Sequence, residues 1–260
     1  MSDRADDLSL LLAAAREAGD IAMRYFNRNP EVWMKTGQSP VSEADFAVDT
    51  FLREMLMAAR PDYGWLSEET ADSAARLAAR RTFVVDPIDG TRGFLDGSDA
   101  WCISVAVVEA GVPIAGVLDC PVRGEIFSAM PGEGATKNGL PIRVRRPGPQ
   151  IEIGGPKPFF DALPEEWRAR VHRVAHIPSL AYRLALIAEG SLDASFVKPN
   201  AHDWDIAAAD LILREAGGRL LDAAGDAPSY AGAVTAHDAL VAGSGDLLAV
   251  IAGVISGAER

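Results

Sequence analysis

Two carboxylates three residues apart, Asp86 and Asp89, lie in the stretch Asp86-Pro87-Ile88-Asp89-Gly90-Thr91, directly after the apolar run Phe83-Val84-Val85. The run reads as a strand, so both acids fall at its end. Pro87 fixes its own φ and holds Asp86 out of the helical region, which lets the two side chains converge on one point. Carboxylates at close quarters repel unless a cation joins them. Gly90 and Thr91 add free backbone N–H groups, and a helical turn starting there favours a bound phosphate. The chemistry this suggests is a hard cation meeting a phosphate at one loop. Taken singly, Asp-Pro and Asp-Gly are ordinary turn signals. The case therefore depends on the six residues together and on acids elsewhere.

Those acids are Asp45, Glu68 with Glu69, and Asp205. Asp45 falls in the first turn of a helix capped by Ser42, where the helix dipole alone would favour it. Glu68-Glu69 ends a short strand-like piece and reads equally as a solvated turn. Asp205, in Trp204-Asp205-Ile206-Ala207-Ala208-Ala209, reads equally as a helix-capping acid. Jointly, the segments Ser39-Pro40-Val41-Ser42-Glu43-Ala44-Asp45, Leu66-Ser67-Glu68-Glu69, the Asp86–Thr91 stretch, Gly134-Ala135 with Asn138-Gly139, and Trp204-Asp205 followed by Glu215-Ala216-Gly217-Gly218 resemble the inositol monophosphatase superfamily, in order and over nearly the whole chain.

The resemblance implies a layered α-β-α-β-α sandwich and a Mg²⁺-dependent, lithium-sensitive phosphatase. It makes Glu68, Asp86, Asp89 and Asp205 carboxylate ligands of two or three Mg²⁺ ions, with the backbone carbonyl of Ile88 as a further donor. All-oxygen ligands suit Mg²⁺ and argue against zinc or copper. By the same resemblance Asp45 and Thr91, assisted by Glu68, orient and deprotonate the attacking water, the amides of Gly90 and Thr91 hold phosphate oxygens, and Lys35 falls beside the weakest metal site. Hydrolysis is then in line, without a phosphoenzyme. No Gly-x-Ser-x-Gly elbow and no P-loop competes for the role.

Substrate choice is expected in the second half, where the chain departs from the inositol-type pattern. Pro178-Ser179-Leu180-Ala181 stands where that pattern has Gly-Ser/Thr-Ala, and Lys198 stands where inositol phosphatases carry an acid before the last metal ligand. Ser179, Arg183, Lys198 and Asp205 are expected to line the leaving-group side. A solvent-exposed lysine is the bland alternative for Lys198. With Arg183, it narrowly favours a substrate with two anionic groups, such as 3′-phosphoadenosine 5′-phosphate, over inositol 1-phosphate. Histidinol-phosphate phosphatase, fructose-bisphosphate phosphatase and a non-catalytic regulatory protein are the further alternatives.

The elements that must position these residues are legible as periodicity. The chain has 260 residues, is 48% hydrophobic and carries a formal charge of −12. That is ample for a large core, and the charge opposes nucleic acid and anionic lipid as partners. No apolar run is long enough to span a membrane, and the acidic first residues do not resemble a secretory signal. With Cys102 and Cys120 inside apolar runs and no disulfide framework, a cytoplasmic protein is expected. The partner is a small phosphorylated metabolite and the expected assembly a homodimer. His172 and His176 read as structural.

Helices are expected over Leu8–Phe26 and from Ser42 to Arg60, and a smaller one around Asp72–Ala79. Strand candidates at 31–35 and 63–70, the Asp86 strand, 101–109, 113–119 and 125–129 give an α+β half with a mostly antiparallel sheet. Turns are expected at Gly37–Pro40 and across 132–139. Arg145-Arg146-Pro147-Gly148-Pro149 suggests a boundary between sub-domains 1–146 and 147–260. Beyond it, strands at 151–153, 172–177, 194–197, 219–222 and 239–241 alternate with helices at 159–170, 179–189, 205–215 and 246–255, an α/β pattern.

Overall fold

The computed structural model describes residues 3–35 and 39–258, so the turn expected at Gly37-Gln38 lies outside the described residues. The chain opens with α1 (Asp3–Met23), a hairpin of β1 (Val32–Met34) and β2 (Pro40–Ser42), and α2 (Glu43–Ala59). β3 (Gly64–Ser67) and a 3-10 turn precede β4 (Arg81–Asp89), the single helical turn α3 (Thr91–Leu95), β5 (Cys102–Glu109) and β6 (Val112–Cys120). β7 (Glu125–Ala129), β8 (Ala135–Lys137) and β9 (Leu140–Ile142) complete the first half. The second half contains β10 (Ile151–Gly154), α4 (Lys157–Asp161), α5 (Glu165–Arg168), β11 (Val171–Arg173), α6 (Leu180–Ala188), β12 (Ala194–Val197) and β13 (Ala201–His202). It ends with α7 (Asp203–Glu215), β14 (Arg219–Leu221), β15 (Ala236–His237), β16 (Leu240–Gly243) and α8 (Gly245–Ala258).

Among the described residues, β3 to β9 pair in sequence order as a seven-stranded sheet, parallel only between β3 and β4. A five-stranded sheet runs β11-β10-β12-β16-β14, parallel in its first three strands. Helices α1 and α2 cover the outer face of the larger sheet through Leu11, Leu52, Leu56, Phe83 and Trp101. Between the sheets lie α6 and α7, whose Leu184, Ile206, Leu211 and Ile212 are buried with residues of both. Helix α8 closes the far side over Ile153, Phe196 and Val241. The result is the expected α-β-α-β-α sandwich.

Close layers require small residues at the contacts. Helix α7 presents Ala207, Ala208 and Ala209, all buried. A Cβ on Gly116 of β6 would come within 3.1 Å of the Ala208 backbone, so this helix approaches the sheet at backbone range.

Several expected elements take a different form. The single helix expected over 159–170 is two short ones, because Pro164 disfavours the helical region for Leu163 and supplies no N–H. The strand expected over 172–177 stops at Arg173. The turn expected at Asn138-Gly139 is present (φ 51° and 78°, the two left-handed residues of a primed turn), and it joins two short strands that were not expected, Ala135–Lys137 and Leu140–Ile142, as a hairpin. The flanking strands are too short to show alternation. Among the described residues no helix is long and apolar enough to cross a membrane.

Asp119 of β6 faces α1, where a Cβ on Gly19 would collide with its carboxylate. Burial, offset by Arg16 and reinforced by Asp20, pushes its pKa up to about 7. Its contribution to stability is thus fully present below the unfolded pKa, about 3.9, and is lost as pH rises through about 7. Asp119→Asn is expected to raise the melting temperature at pH 8 by on the order of a few degrees and by markedly less at pH 5, where only the span above the unfolded pKa contributes. Calorimetry at both values checks this, and an equal gain at both would remove the carboxyl as the cause.

Candidate active site

The end of β4 is irregular where its acids sit. Between Asp86 and Asp89 the strand advances three residues while β5 advances two, from Ser104 to Cys102. Pro87 has no N–H to give the ladder, and one extra residue is accommodated as a bulge. In a regular strand, residues three apart point to opposite faces. The bulge lets both acids reach one edge, and each lies in the field of the same Glu68.

Carboxylate oxygens of Glu68, Asp86 and Asp205 all lie within 4.8 Å of one another. They arrive from three elements: the end of β3, the end of β4 and the first turn of α7. Burial, then the charges of Glu68, Asp89 and Asp205, raises Asp86 well above the usual carboxylate range. Asp205 is raised likewise, by burial and then by Asp89. A group of acids with only oxygen donors, Asp86 buried and Glu68 and Asp205 partly exposed, fits a hard divalent cation of the Mg²⁺ type.

Neighbouring donors hold each acid. Asp86 Oδ1 accepts from the Ile88 N–H at 3.0 Å, and Asp205 Oδ2 from the His202 N–H at 2.7 Å. Lys35 Nζ donates to Glu68 Oε1 at 2.9 Å and to Glu69 Oε1 at 2.6 Å. Burial alone would lower Lys35, but the two glutamates raise it. Burial drives Glu69 up to about 7 against the pull of that lysine.

Asp89 stands slightly apart. Its Oδ2 accepts from the Ser179 hydroxyl and, at 2.6 Å, from the Ala181 N–H, at the amino end of α6. Burial still raises it, to about 6. The β4–α3 corner passes so near this helix that a Cβ on Gly90 (φ 93°) would lie 3.0 Å from the Ser179 nitrogen. Asp89 thus ties the corner to the middle helical layer.

Asp45 is the third residue of α2. Its Oδ2 accepts from the Ser42 N–H at 2.8 Å and the Ser42 hydroxyl at 2.6 Å, so Ser42 stands at the N-cap as expected and also donates to the acid. Thr91 Oγ1 lies 3.2 Å from Asp45 Oδ1 and 3.1 Å from the Ile88 carbonyl. Asp45, Thr91 and Ile88 O therefore meet at one hydroxyl.

Of the residues expected on the substrate side, Lys198 is exposed just past β12. Its charge acts on Asp205. The Arg183 Nη2 donates to the Phe196 carbonyl at 3.4 Å, and its Nε is buried with no partner among the described residues. Burial lowers this guanidinium to about 10, so it stays charged at neutral pH. His176, exposed, is lowered by partial burial and then by Arg183, Arg173, Lys198 and Arg92.

Sequence reasoning missed Arg92, Arg173 and the neighbourhood of His176, which only the sheet order brings together. It also missed Asp49, buried one turn beyond Asp45. The four-residue spacing of two acids on an otherwise apolar helix face was the available signal.

The sequence profile of the inositol monophosphatase family matches residues 3–257. The chain belongs to that family. Accordingly it is a phosphatase, a hydrolase of phosphate monoesters that acts on small phosphorylated substrates. It is 35% identical over 240 residues to an inositol-1-monophosphatase of Rhizobium meliloti, covering 87% of this chain and 90% of that one. It is 32% identical over 255 residues to a histidinol-phosphatase of Mycobacterium tuberculosis, covering 91% and 95%. The crystal structure of the extragenic suppressor protein suhB from Bartonella henselae superposes with a TM-score of 0.85 at 28% identity, over 96% of this chain and 98% of that one.

The carboxylate group gives a direct test. Asp86→Asn relieves like-charge repulsion and is expected to melt higher than the unmodified protein in the absence of divalent metal. At Mg²⁺ about 100 times its dissociation constant the unmodified protein gains about 2.7 kcal/mol, and the variant gains none. Thermal melts with and without Mg²⁺ read both effects, and a variant that keeps the full gain removes Asp86 from the site.

Proposed function

We propose that the protein is a Mg²⁺-dependent phosphatase whose substrate carries a second anionic group, with 3′-phosphoadenosine 5′-phosphate narrowly ahead of inositol 1-phosphate. The observation that carries the metal dependence is the meeting of Glu68, Asp86 and Asp205 oxygens within 4.8 Å. Asp89 and the Ile88 carbonyl complete the proposed ligands, for two or three ions. Bound there, Mg²⁺ supplies charge to the phosphate oxygens and acidity to a water.

The chain's own residues do the rest. Thr91 Oγ1 has one proton and two acceptors in reach, Asp45 Oδ1 and the Ile88 carbonyl. Its lone pairs are left to accept from the attacking water, and Asp45 takes the water's proton, assisted by Glu68. The amides of Gly90 and Thr91, at a corner that only a left-handed residue can turn, hold phosphate oxygens.

The support for a second anion is a gathering of cations. Strands β11, β10 and β12 run parallel and adjacent, and Arg173, Gly154 and Lys198 mark their carboxyl ends. Open α/β sheets bind ligands at such an edge. Arg183, in the first turn of α6, and Arg92 also reach His176 with their fields. An uncharged inositol ring has no use for these charges, and the amine of histidinol phosphate is repelled by them. Neither relative named above is a bisphosphate nucleotidase. Fructose bisphosphate offers a second phosphate as well and belongs in the same assay. The complete acid set weighs against a purely regulatory protein. Lithium inhibition, a homodimeric state and a cytoplasmic location, the last supported by two free buried cysteines, belong to the same proposal.

Activity is expected to require Mg²⁺ and to vanish with a chelator. The ratio of kcat/KM for 3′-phosphoadenosine 5′-phosphate over inositol 1-phosphate is expected to exceed one and to fall about tenfold to a hundredfold in Lys198→Ala, the loss of a charge-assisted contact of about 1.5–3 kcal/mol. A higher ratio for inositol 1-phosphate, or an unchanged ratio in the variant, returns the lead to the inositol substrate.

A further inference from the structure

Asp49 takes no part in the chemistry proposed above, yet it is 6% exposed, beneath the segment that carries Glu68. Its Oδ1 accepts from the Ser67 hydroxyl, and its Oδ2 from the Thr70 hydroxyl at 2.6 Å. Ser67 and Thr70 bracket Glu68 and Glu69. The Ser67 oxygen also accepts from the Glu69 N–H at 3.3 Å, so the turn is tied at its start, middle and end to one carboxylate. One helical turn earlier, Asp45 binds Thr91 at the β4–α3 corner. Residues four apart share a helix face. Helix α2 thus clamps with one acid the segment that supplies Glu68 and with the next the corner that follows Asp86 and Asp89.

From this geometry we infer that Asp49 is a positioning residue that sets where the Glu68 carboxylate stands relative to Asp86 and Asp205, and thereby the affinity of the site for a divalent cation. Apart from this clamp, the segment is held by the Glu68 N–H, which donates to the Val85 carbonyl at 3.2 Å, and by Lys35. The lysine is itself a cation on Glu68, so a metal ion bound beside it weakens its hold there. The Ser67 and Thr70 hydroxyls on Asp49 do not involve the Glu68 carboxylate, so a cation there has no cause to displace them. The inference rests on the metal-site reading, and its test separates the two.

The experiment is a calorimetric titration of the full chain with Mn²⁺, together with the metal-induced shift in melting temperature. Asp49→Ala is expected to weaken binding by about tenfold to a hundredfold, the usual loss when a partner that orients a ligand is removed. Asp49→Asn, which can still accept from one hydroxyl and donate to the other, is expected to restore binding to within about threefold of the unmodified protein. Should Asp49→Ala fail to fold, the double variant Ser67→Ala with Thr70→Val removes the same two contacts from the other side and is expected to weaken binding equally. Where all variants fold, adding Asp49→Ala to that pair should cost nothing more, since both act through one interaction. Folded Asp49→Ala that binds Mn²⁺ within about twofold of the unmodified protein overturns the inference. So does the same outcome in the hydroxyl pair. Glu68→Gln is the control: if it too binds Mn²⁺ normally, the metal-site reading fails, whereas loss there with normal binding in Asp49→Ala sinks the inference alone.

Discussion

Like charges held together in a buried place are the constraint on which the rest depends. Glu68, Asp86 and Asp205 have oxygens within 4.8 Å of one another, and Asp89 lies in the same field. Left to themselves such groups separate or take up protons. Here every one is tied by a donor: Ile88 N–H to Asp86, His202 N–H to Asp205, Lys35 to Glu68, and Ser179 with Ala181 to Asp89. The donors come from different parts of the chain, so the acids cannot relax apart without local unfolding of several elements. Such strain at a functional centre is offset by the surrounding core.

That core is built so that no single layer owns the centre. Two acids end a strand of the larger sheet, one follows its parallel edge strand, and one begins α7 in the middle layer. The register therefore depends on how close α7 lies to β5 and β6. Three successive alanines and the bare Gly116 allow backbone-range packing there, and the Ser104 hydroxyl, next to Asp86 in the ladder, donates to the Trp204 carbonyl at 3.2 Å. At the first residue of the helix, Asp203 is held by His237 at 2.7 Å and by the Ala231 N–H. A bulkier residue at Gly116 would push the whole helix, and Asp205 with it, away from the strand ends.

What sequence made legible follows from the range of the interactions involved. The long helices and the β4 to β7 strands show their periods locally, and the α-β-α-β-α layering came with the family pattern. The β8–β9 hairpin was hidden because three-residue strands carry too little alternation. The break at Pro164 was available in the sequence and was outweighed by the apolar spacing around it. In the site, the acids of the four motifs could be named because their order along the chain matches a known pattern. The Asp49 clamp and the placing of Arg92 and Arg173 beside His176 could not, since their partners are contributed by strands and helices distant in sequence. Arg183 was expected in the pocket lining, and its guanidinium donates to the Phe196 carbonyl. Its charge still reaches His176.

Under the proposed function, chemistry and selectivity sit on different sheets. A chain with a formal charge of −12 repels a phosphorylated metabolite at long range. Beyond about 8 Å, physiological salt removes most of that repulsion, and what then decides binding is the charge met at contact. The carboxylates of the larger sheet present a favourable face to phosphate only through a cation, so they are indifferent to the remainder of the substrate. In the proposed function the remainder meets the carboxyl ends of β11, β10 and β12, where Arg173 and Lys198 stand and where none of the proposed ligands of the acidic centre originates. On that reading, changes along that edge retune the leaving group without moving an acid as long as they leave the Asp89 contacts at the amino end of α6 intact. Those contacts run through the Ser179 hydroxyl as well as the Ala181 N–H, so the serine is the one side chain there whose loss would reach the acidic centre.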